Sequence, residues 1–132
     1  MRQEADVPGK AAKRVLIVED DDQLREALQE LLSESGYETI TAEDGLEALD
    51  WLSRVPVHLI VSDLLMPRLP GHRLVERVRG TTEWRAIPIL LLSAFADLAR
   101  YRRLPVDAVH LKPFRVTEFV AKVQQMIGPA PA

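Results

Sequence analysis

Two periods govern the hydrophobic and polar positions of this chain. Short unbroken apolar runs read as strands buried on both faces, and between them apolar residues recur every three or four positions, as in helices with one buried stripe. The first run, residues 15–18, leads into Glu19-Asp20-Asp21-Asp22. A helix follows with Leu24, Ala27, Leu28, Leu31 and Leu32 on one face; Asp21 or Asp22 caps its start and Gly36 stops it. Weak alternation over residues 37–41 predicts a second strand. Glu43-Asp44 then opens a helix whose stripe is Leu46, Ala48, Leu49 and Leu52, with Trp51 at the stripe's edge. After Pro56 comes the central strand, Leu59-Ile60-Val61-Ser62, which runs into Asp63 and then a loop carrying Met66-Pro67 and Pro70-Gly71. A third helix runs through Leu74, Val75 and Val78 to a stop near Gly80. Residues 88–92 form a fourth strand with Ser93 at its carboxyl end. Loop and short helix share residues 94–104, and the last strand, residues 106–111, closes on Lys112-Pro113-Phe114. The final helix presents Val116, Phe119, Val120, Val123 and Ile127 and ends at Gly128.

Strands and helices therefore alternate five times. Such βα repetition predicts a doubly wound α/β fold: a five-stranded parallel sheet, right-handed crossovers and five helices on its two faces. In a sheet of this kind ligands bind outside the carboxyl ends of the strands. Glu19, Asp20, Asp63, Ser93 and Lys112 each follow a predicted strand, so all five fall at that one edge.

Length and composition narrow the picture. A chain of 132 residues with 47% apolar and 28% charged residues fits one soluble globular domain. Residues 1–13, polar and broken at Pro8-Gly9, read as a flexible leader; residues 14–128 make the domain and 129–132 a disordered tail. A net charge of -3 gives no bulk attraction to nucleic acid, and the basic run Arg100, Arg102 and Arg103 reads as a solvated helix face. Without cysteine there is no disulfide frame or thiolate chemistry. No apolar run approaches the ~20 residues of a membrane span, and residues 15–18 are too short for a signal-peptide core. The expected compartment is the cytoplasm, with no membrane insertion.

The edge residues carry a specific chemistry. Three carboxylates brought together raise one another's pKa unless a cation neutralises them. Mg²⁺ (or Mn²⁺), which takes one or two carboxylates and keeps several waters, suits Glu19, Asp20 and Asp63. A carboxylate, a metal, a hydroxyl donor and an ammonium are the parts needed to hold a transferring phosphoryl group. Asp63 is then the nucleophile, forming an acyl phosphate. Taken singly, Ser93 is an ordinary turn hydroxyl, Lys112 a surface lysine and Asp63 a turn or cap aspartate; their common edge is what gives them meaning.

Val18-Glu19-Asp20-Asp21, Ser62-Asp63-Leu64-Leu65-Met66-Pro67, Leu92-Ser93-Ala94 and Lys112-Pro113-Phe114 together resemble the response-regulator receiver domain of two-component signalling, in its stand-alone, chemotaxis-regulator-like form. The resemblance covers residues 14–127 and implies a flavodoxin-like (βα)5 fold. It also implies that Asp63 accepts the phosphoryl group and that Asp20, Asp63 and the backbone carbonyl of Leu65 bind Mg²⁺, with Glu19 acting through a metal-bound water. Ser93 and Lys112 would grip phosphoryl oxygens, and the Lys112–Pro113 bond would be cis. Two departures fall on the usual output face. Val109 stands where the family carries a switching aromatic residue, beside His110, and the stretch from Ser93 to Lys112 is shorter than usual. Activation is therefore expected to be read out through movement of residues 94–104 rather than by an aromatic side chain, because a β-branched residue is stiff and changes little between states.

The expected function is a phosphorylation switch. It is charged by a sensor histidine kinase or histidine phosphotransfer protein, and it signals to a downstream protein or relays the phosphoryl group. It is not an enzyme beyond Mg²⁺-dependent self-phosphorylation and autodephosphorylation. Two other readings lack their usual signs. The usual sign of a phosphorylation-independent pseudo-receiver is loss of Asp63 or Lys112, and both are present. An aspartate-nucleophile phosphatase would carry its nucleophile after the first strand, whereas Asp63 follows the third, and a second Asp where Leu65 stands.

Overall fold

The computed structural model describes residues 12–94, 97, 99 and 103–131. Its strands are β1 (Arg14–Val18), β2 (Glu38–Ala42), β3 (Leu59–Asp63), β4 (Ile89–Ala94) and β5 (Ala108–Lys112). All pair in parallel in one sheet of order β2-β1-β3-β4-β5. The helices among the described residues are α1 (Asp22–Glu34), α2 (Gly45–Leu52), α3 (Gly71–Arg79) and α4 (Val116–Ile127). The fifth expected helix, and the segment expected to move on activation, fall on residues 94–104, most of which lie outside those described.

Alternating strand residues build a core on each face. Val15, Ile17, Leu59, Val61, Leu90 and Leu92 meet Leu28 and Leu32 of α1 and Phe119 and Val123 of α4. Leu16, Val18, Ile60 and Ile89 meet Ala48 and Leu52 of α2 and Leu74, Val75 and Val78 of α3. This is the period-2 consequence of covering both sides of a sheet. The chain leaves β1 for β2 on one side and then places β3 on the other, so the switch point lies between β1 and β3. Glu19 directly follows β1, and Asp63 ends β3.

Caps fall where the sequence puts them. Asp21 accepts the Leu24 N–H at 3.1 Å to start α1, and Asp44 accepts the Glu47 N–H at 2.9 Å to start α2. Gly36, at φ 96°, turns the chain after α1 in the left-handed region open to glycine. Trp51 is half-buried at the edge of α2, its indole N–H donating to the Thr41 carbonyl at 2.9 Å.

Some details differ from the sequence reading. Leu46 and Val116, expected in buried stripes, are 46% and 53% exposed. Both lie in the first turn of their helices, at the strands' carboxyl edge, where the sheet no longer covers them. Tyr37 precedes β2 rather than belonging to it: its N–H bonds back to Leu32 O at 3.0 Å, and its hydroxyl donates to Gly128 O at 2.6 Å. The β5 strand starts at Ala108 because Asp107 instead caps the entry to β4, accepting the Ile89 N–H at 2.8 Å and pairing with Arg79. The chain just before β1 meets the chain just after α4. Lys13 Nζ donates to the carbonyls of Ile127 at 2.6 Å and Pro129 at 3.0 Å, and Ala130 packs on the α1–α4 core.

Candidate functional site

Each site residue is delivered by the end of a strand. The Glu19 N–H bonds Ala42 O at 3.0 Å, which extends the β1–β2 ladder by one residue and buries the side chain. Glu19 Oε2 accepts the Asp21 N–H at 3.1 Å, so the turn that caps α1 also fixes this carboxylate. Asp20, between them, is exposed. Every residue of β3 is buried, including Ser62 and Asp63. Asp63 Oδ1 accepts the Leu64 N–H at 2.8 Å. On β4, Leu92 is the register partner of Asp63, which puts the buried Ser93 one residue beyond it, its hydroxyl donating to Ala94 O at 3.0 Å. Lys112 ends β5, and the Lys112–Pro113 bond is cis.

One oxygen from each of Glu19, Asp20 and Asp63 lies within 4.8 Å of the others. Lys112 Nζ stands 3.3 Å from Asp63 Oδ1 and 3.4 Å from Glu19 Oε1. Burial foremost, and then the charge of Asp63, push the Glu19 carboxyl up to about 7, against the opposing pull of the Asp21 N–H and Lys112. For Lys112, burial works against the charged form, but Asp63 and Glu19 outweigh it and hold the ammonium above its ordinary value. One ammonium thus leaves the acidic group short of positive charge. A hard dication with oxygen ligands fits such a donor set.

Residues 15–124 match the response regulator receiver domain family. The chain belongs to that family. This receiver is 34% identical over 121 residues to the polar-differentiation response regulator DivK of Brucella anthropi, covering 89% of this chain and 98% of that protein. It is 38% identical over 118 residues to the sensor histidine kinase TmoS of Ectopseudomonas mendocina, covering 87% of this chain but only 12% of the kinase. Among solved structures it superposes on the chemotaxis response regulator CheY4 of Vibrio cholerae with a TM-score of 0.81 at 28% identity, covering 87% and 98% of the two chains. The receiver domain of a Pseudomonas aeruginosa PAO1 sensor histidine kinase, described with a magnesium ion coordinated in its active-site cleft, gives 0.81 at 26% identity, covering 89% and 99%. Receivers are signalling domains rather than turnover enzymes. No helix among the described residues is long and apolar enough to cross a membrane.

The receiver's site also contains residues that strand-end reasoning did not find. Arg25, reaching back from α1, donates to the backbone carbonyl of Glu19 at 2.9 Å and pairs with Asp22. Gly71 packs on the backbone of the loop after Asp63: its N–H donates to Leu64 O at 2.8 Å, and a Cβ there would stand 2.3 Å from Asp63 O. Asp44 and Arg68 pair between two loops at the same edge. Of these, Gly71 left a trace in the sequence as half of the Pro70-Gly71 loop signal and Asp44 as part of the Glu43-Asp44 helix start, whereas Arg25 and Arg68 left none. Leu65, on the loop after Asp63, is 51% exposed.

Proposed function

We propose that Asp63 is the phosphoacceptor of a two-component switch, charged by a sensor histidine kinase or histidine phosphotransfer protein. The observation that carries this is the buried Asp63 carboxylate at the end of β3, with Lys112 Nζ at 3.3 Å and the Glu19 and Asp20 oxygens in reach. Both contacts of Asp63 described above fall on Oδ1, so Oδ2 is the better placed to attack. A new P–O bond forms to Asp63 as the P–N bond of the donor phosphohistidine breaks, and the imidazole leaves neutral, keeping the proton already on its other ring nitrogen. Asp20, Asp63 and the backbone carbonyl of Leu65 would hold Mg²⁺ (or Mn²⁺), with Glu19 acting through one of its waters. When bound, the ion supplies positive charge to phosphoryl oxygens. Lys112 and the Ser93 hydroxyl take the remaining oxygens, Ser93 by giving up its bond to Ala94 O. Autodephosphorylation returns Asp63 when water attacks the phosphorus of the acyl phosphate, breaking its bond to the carboxylate and releasing inorganic phosphate.

A groove of about 560 Å³ beside Lys112, lined by Leu24, Ala27, Leu31, Phe114 and Val116, offers an apolar seat for the donor protein next to the reacting carboxylate. The charged receiver then acts by altering its binding to a downstream protein or by passing the phosphoryl group on. We place it in the cytoplasm, with no direct nucleic-acid contact.

The test is intact-mass spectrometry after incubation with acetyl phosphate and Mg²⁺. Wild type gains one phosphoryl group and Asp63→Asn gains none. Equal phosphorylation of the two removes Asp63 as acceptor.

A further inference from the structure

The loop after Asp63, residues 64–70, is pressed against the start of α2 by two independent contacts. In the first, Arg68 Nε donates to Asp44 Oδ2 at 2.7 Å, and Arg68 Nη2 meets the same oxygen. The Asp44 carboxylate is buried, and its Oδ1 is already committed to capping α2 through Glu47. In the second, the Gly45 N–H donates to Leu69 O at 3.2 Å, and a Cβ on Gly45 would come within 2.5 Å of that oxygen. Arg68 itself sits at φ 64°, a left-handed conformation rare for a residue with a side chain. Burial of Asp44 opposes its charge, yet the Glu47 N–H and the Arg68 guanidinium hold it below the ordinary carboxylate value. This differs from exposed pairs such as Arg73–Glu76, which constrain little. One partner is buried, and two nitrogens of one guanidinium converge on it.

We propose that the Asp44–Arg68 pair is a positioning device for the metal site, fixing the 64–70 loop so that the Leu65 carbonyl is in place beside Glu19, Asp20 and Asp63. The inference rests on the metal reading given above. Neither Asp44 nor Arg68 is placed on the ion or the phosphoryl group; both act through the loop. Mg²⁺ demands near-ideal octahedral geometry and tolerates misplaced ligands poorly, so a loop ordered in advance binds it more tightly. Electrostatics alone makes a different claim. Arg68 is a cation near an acidic pocket, and removing it should favour a dication, whereas removing the Asp44 charge should disfavour one.

That difference in sign is the test. Mg²⁺ alone is titrated calorimetrically into the full chain, without phosphodonor, for wild type, Asp44→Asn, Arg68→Asn and the double variant. Asn at 44 keeps an oxygen to cap α2, and Asn at 68 tolerates positive φ, so helix and backbone preferences survive both changes. Each single variant is expected to bind Mg²⁺ about tenfold more weakly, a size usual for residues that orient metal ligands. The double variant should be no weaker than either single, and Arg68→Lys should recover part of the loss. Arg54→Gln, which breaks the exposed pair with Asp50, should change nothing. Opposite signs for Asp44→Asn and Arg68→Asn, or unchanged affinity in both, overturn the positioning role. Binding that is lost in Asp20→Ala but intact in Arg68→Asn overturns this inference alone. Wild-type binding that Asp20→Ala leaves intact overturns the metal reading itself, and this inference with it.

Discussion

Lys112 Nζ lies 3.3 Å from Asp63 Oδ1 although the two residues end strands that are not neighbours; β4 runs between β3 and β5. The contact spans the carboxyl edge of the sheet, and its third member is Glu19. Under the proposed function, an ammonium there would compete with a bound dication and would also receive phosphoryl oxygens. Lys112→Ala is therefore expected to tighten Mg²⁺ binding while slowing phosphorylation by acetyl phosphate, by about tenfold or more. Calorimetry and intact-mass kinetics on the same preparation read both. A variant that loses Mg²⁺ affinity would show that Lys112 supports the metal site instead of opposing it.

Asp20 and Asp21 are adjacent carboxylates with different work. Asp20 is exposed and within reach of the Glu19 and Asp63 oxygens, whereas Asp21 is spent on the Leu24 N–H. Asp20→Ala should weaken Mg²⁺ by at least about tenfold, or ~1.4 kcal/mol. Asp21→Ala should leave Mg²⁺ affinity nearly intact and cost about 1 kcal/mol of stability as a lost cap. The reverse order in a titration and a urea melt would mean that the acidic pair is shifted by one residue.

Gly71 has no room for a side chain. Its missing Cβ would stand 2.3 Å from Asp63 O and 2.7 Å from Leu64 Cα, both backbone atoms that cannot swing aside. Gly71→Ala is expected to cost about 1–3 kcal/mol and to slow phosphorylation, because relief must displace the Asp63 backbone. Gly80→Ala is the control. Its nearest neighbour would be Glu76 O at 3.2 Å, with φ at -85°, so its cost should be small. Equal urea midpoints for Gly71→Ala and wild type would refute the packing role.

His110 supplies a pH dependence. Its ring packs 4.7 Å from Phe114 and 6.4 Å from Phe119, and its buried Nε2 has no hydrogen-bond partner. Burial is the main cause that lowers its pKa; Lys122 adds to the shift and Glu118 opposes it. The folded protein then binds this proton less readily than the unfolded chain, where histidine titrates near about 6.5. The contribution to stability is complete above that pH and is lost as pH falls from there through the lower folded value. His110→Phe keeps the aromatic contact and removes both the orphaned nitrogen and the titration. It should be more stable at pH 7 by up to ~1 kcal/mol and lose less stability than wild type between pH 7 and 5.5. His58 and His72 are common to both proteins and cancel. Parallel losses in urea melts at the two pH values would exclude His110 as the source.

Local pattern was enough to place β1, β3, β4, α1 and α3 to within a residue or two. Each carries a run or a stripe whose period is set by its own backbone, and chain order together with right-handed crossovers then placed Glu19, Asp20, Asp63, Ser93 and Lys112 at one edge. The exposure of Leu46 and Val116 was decided by the finite width of the sheet, which a helical stripe does not encode. The grip of Arg25 on Glu19 O, the seat of Gly71 against Asp63 O and the Asp44–Arg68 pair were decided by how loops dock on one another. Loop side chains have no period, and partners such as Asp44 and Arg68 meet only after the β2–α2 and β3–α3 connections have been packed side by side. Such contacts depend on the positions of whole elements rather than on neighbouring residues, so only the tertiary structure decides them.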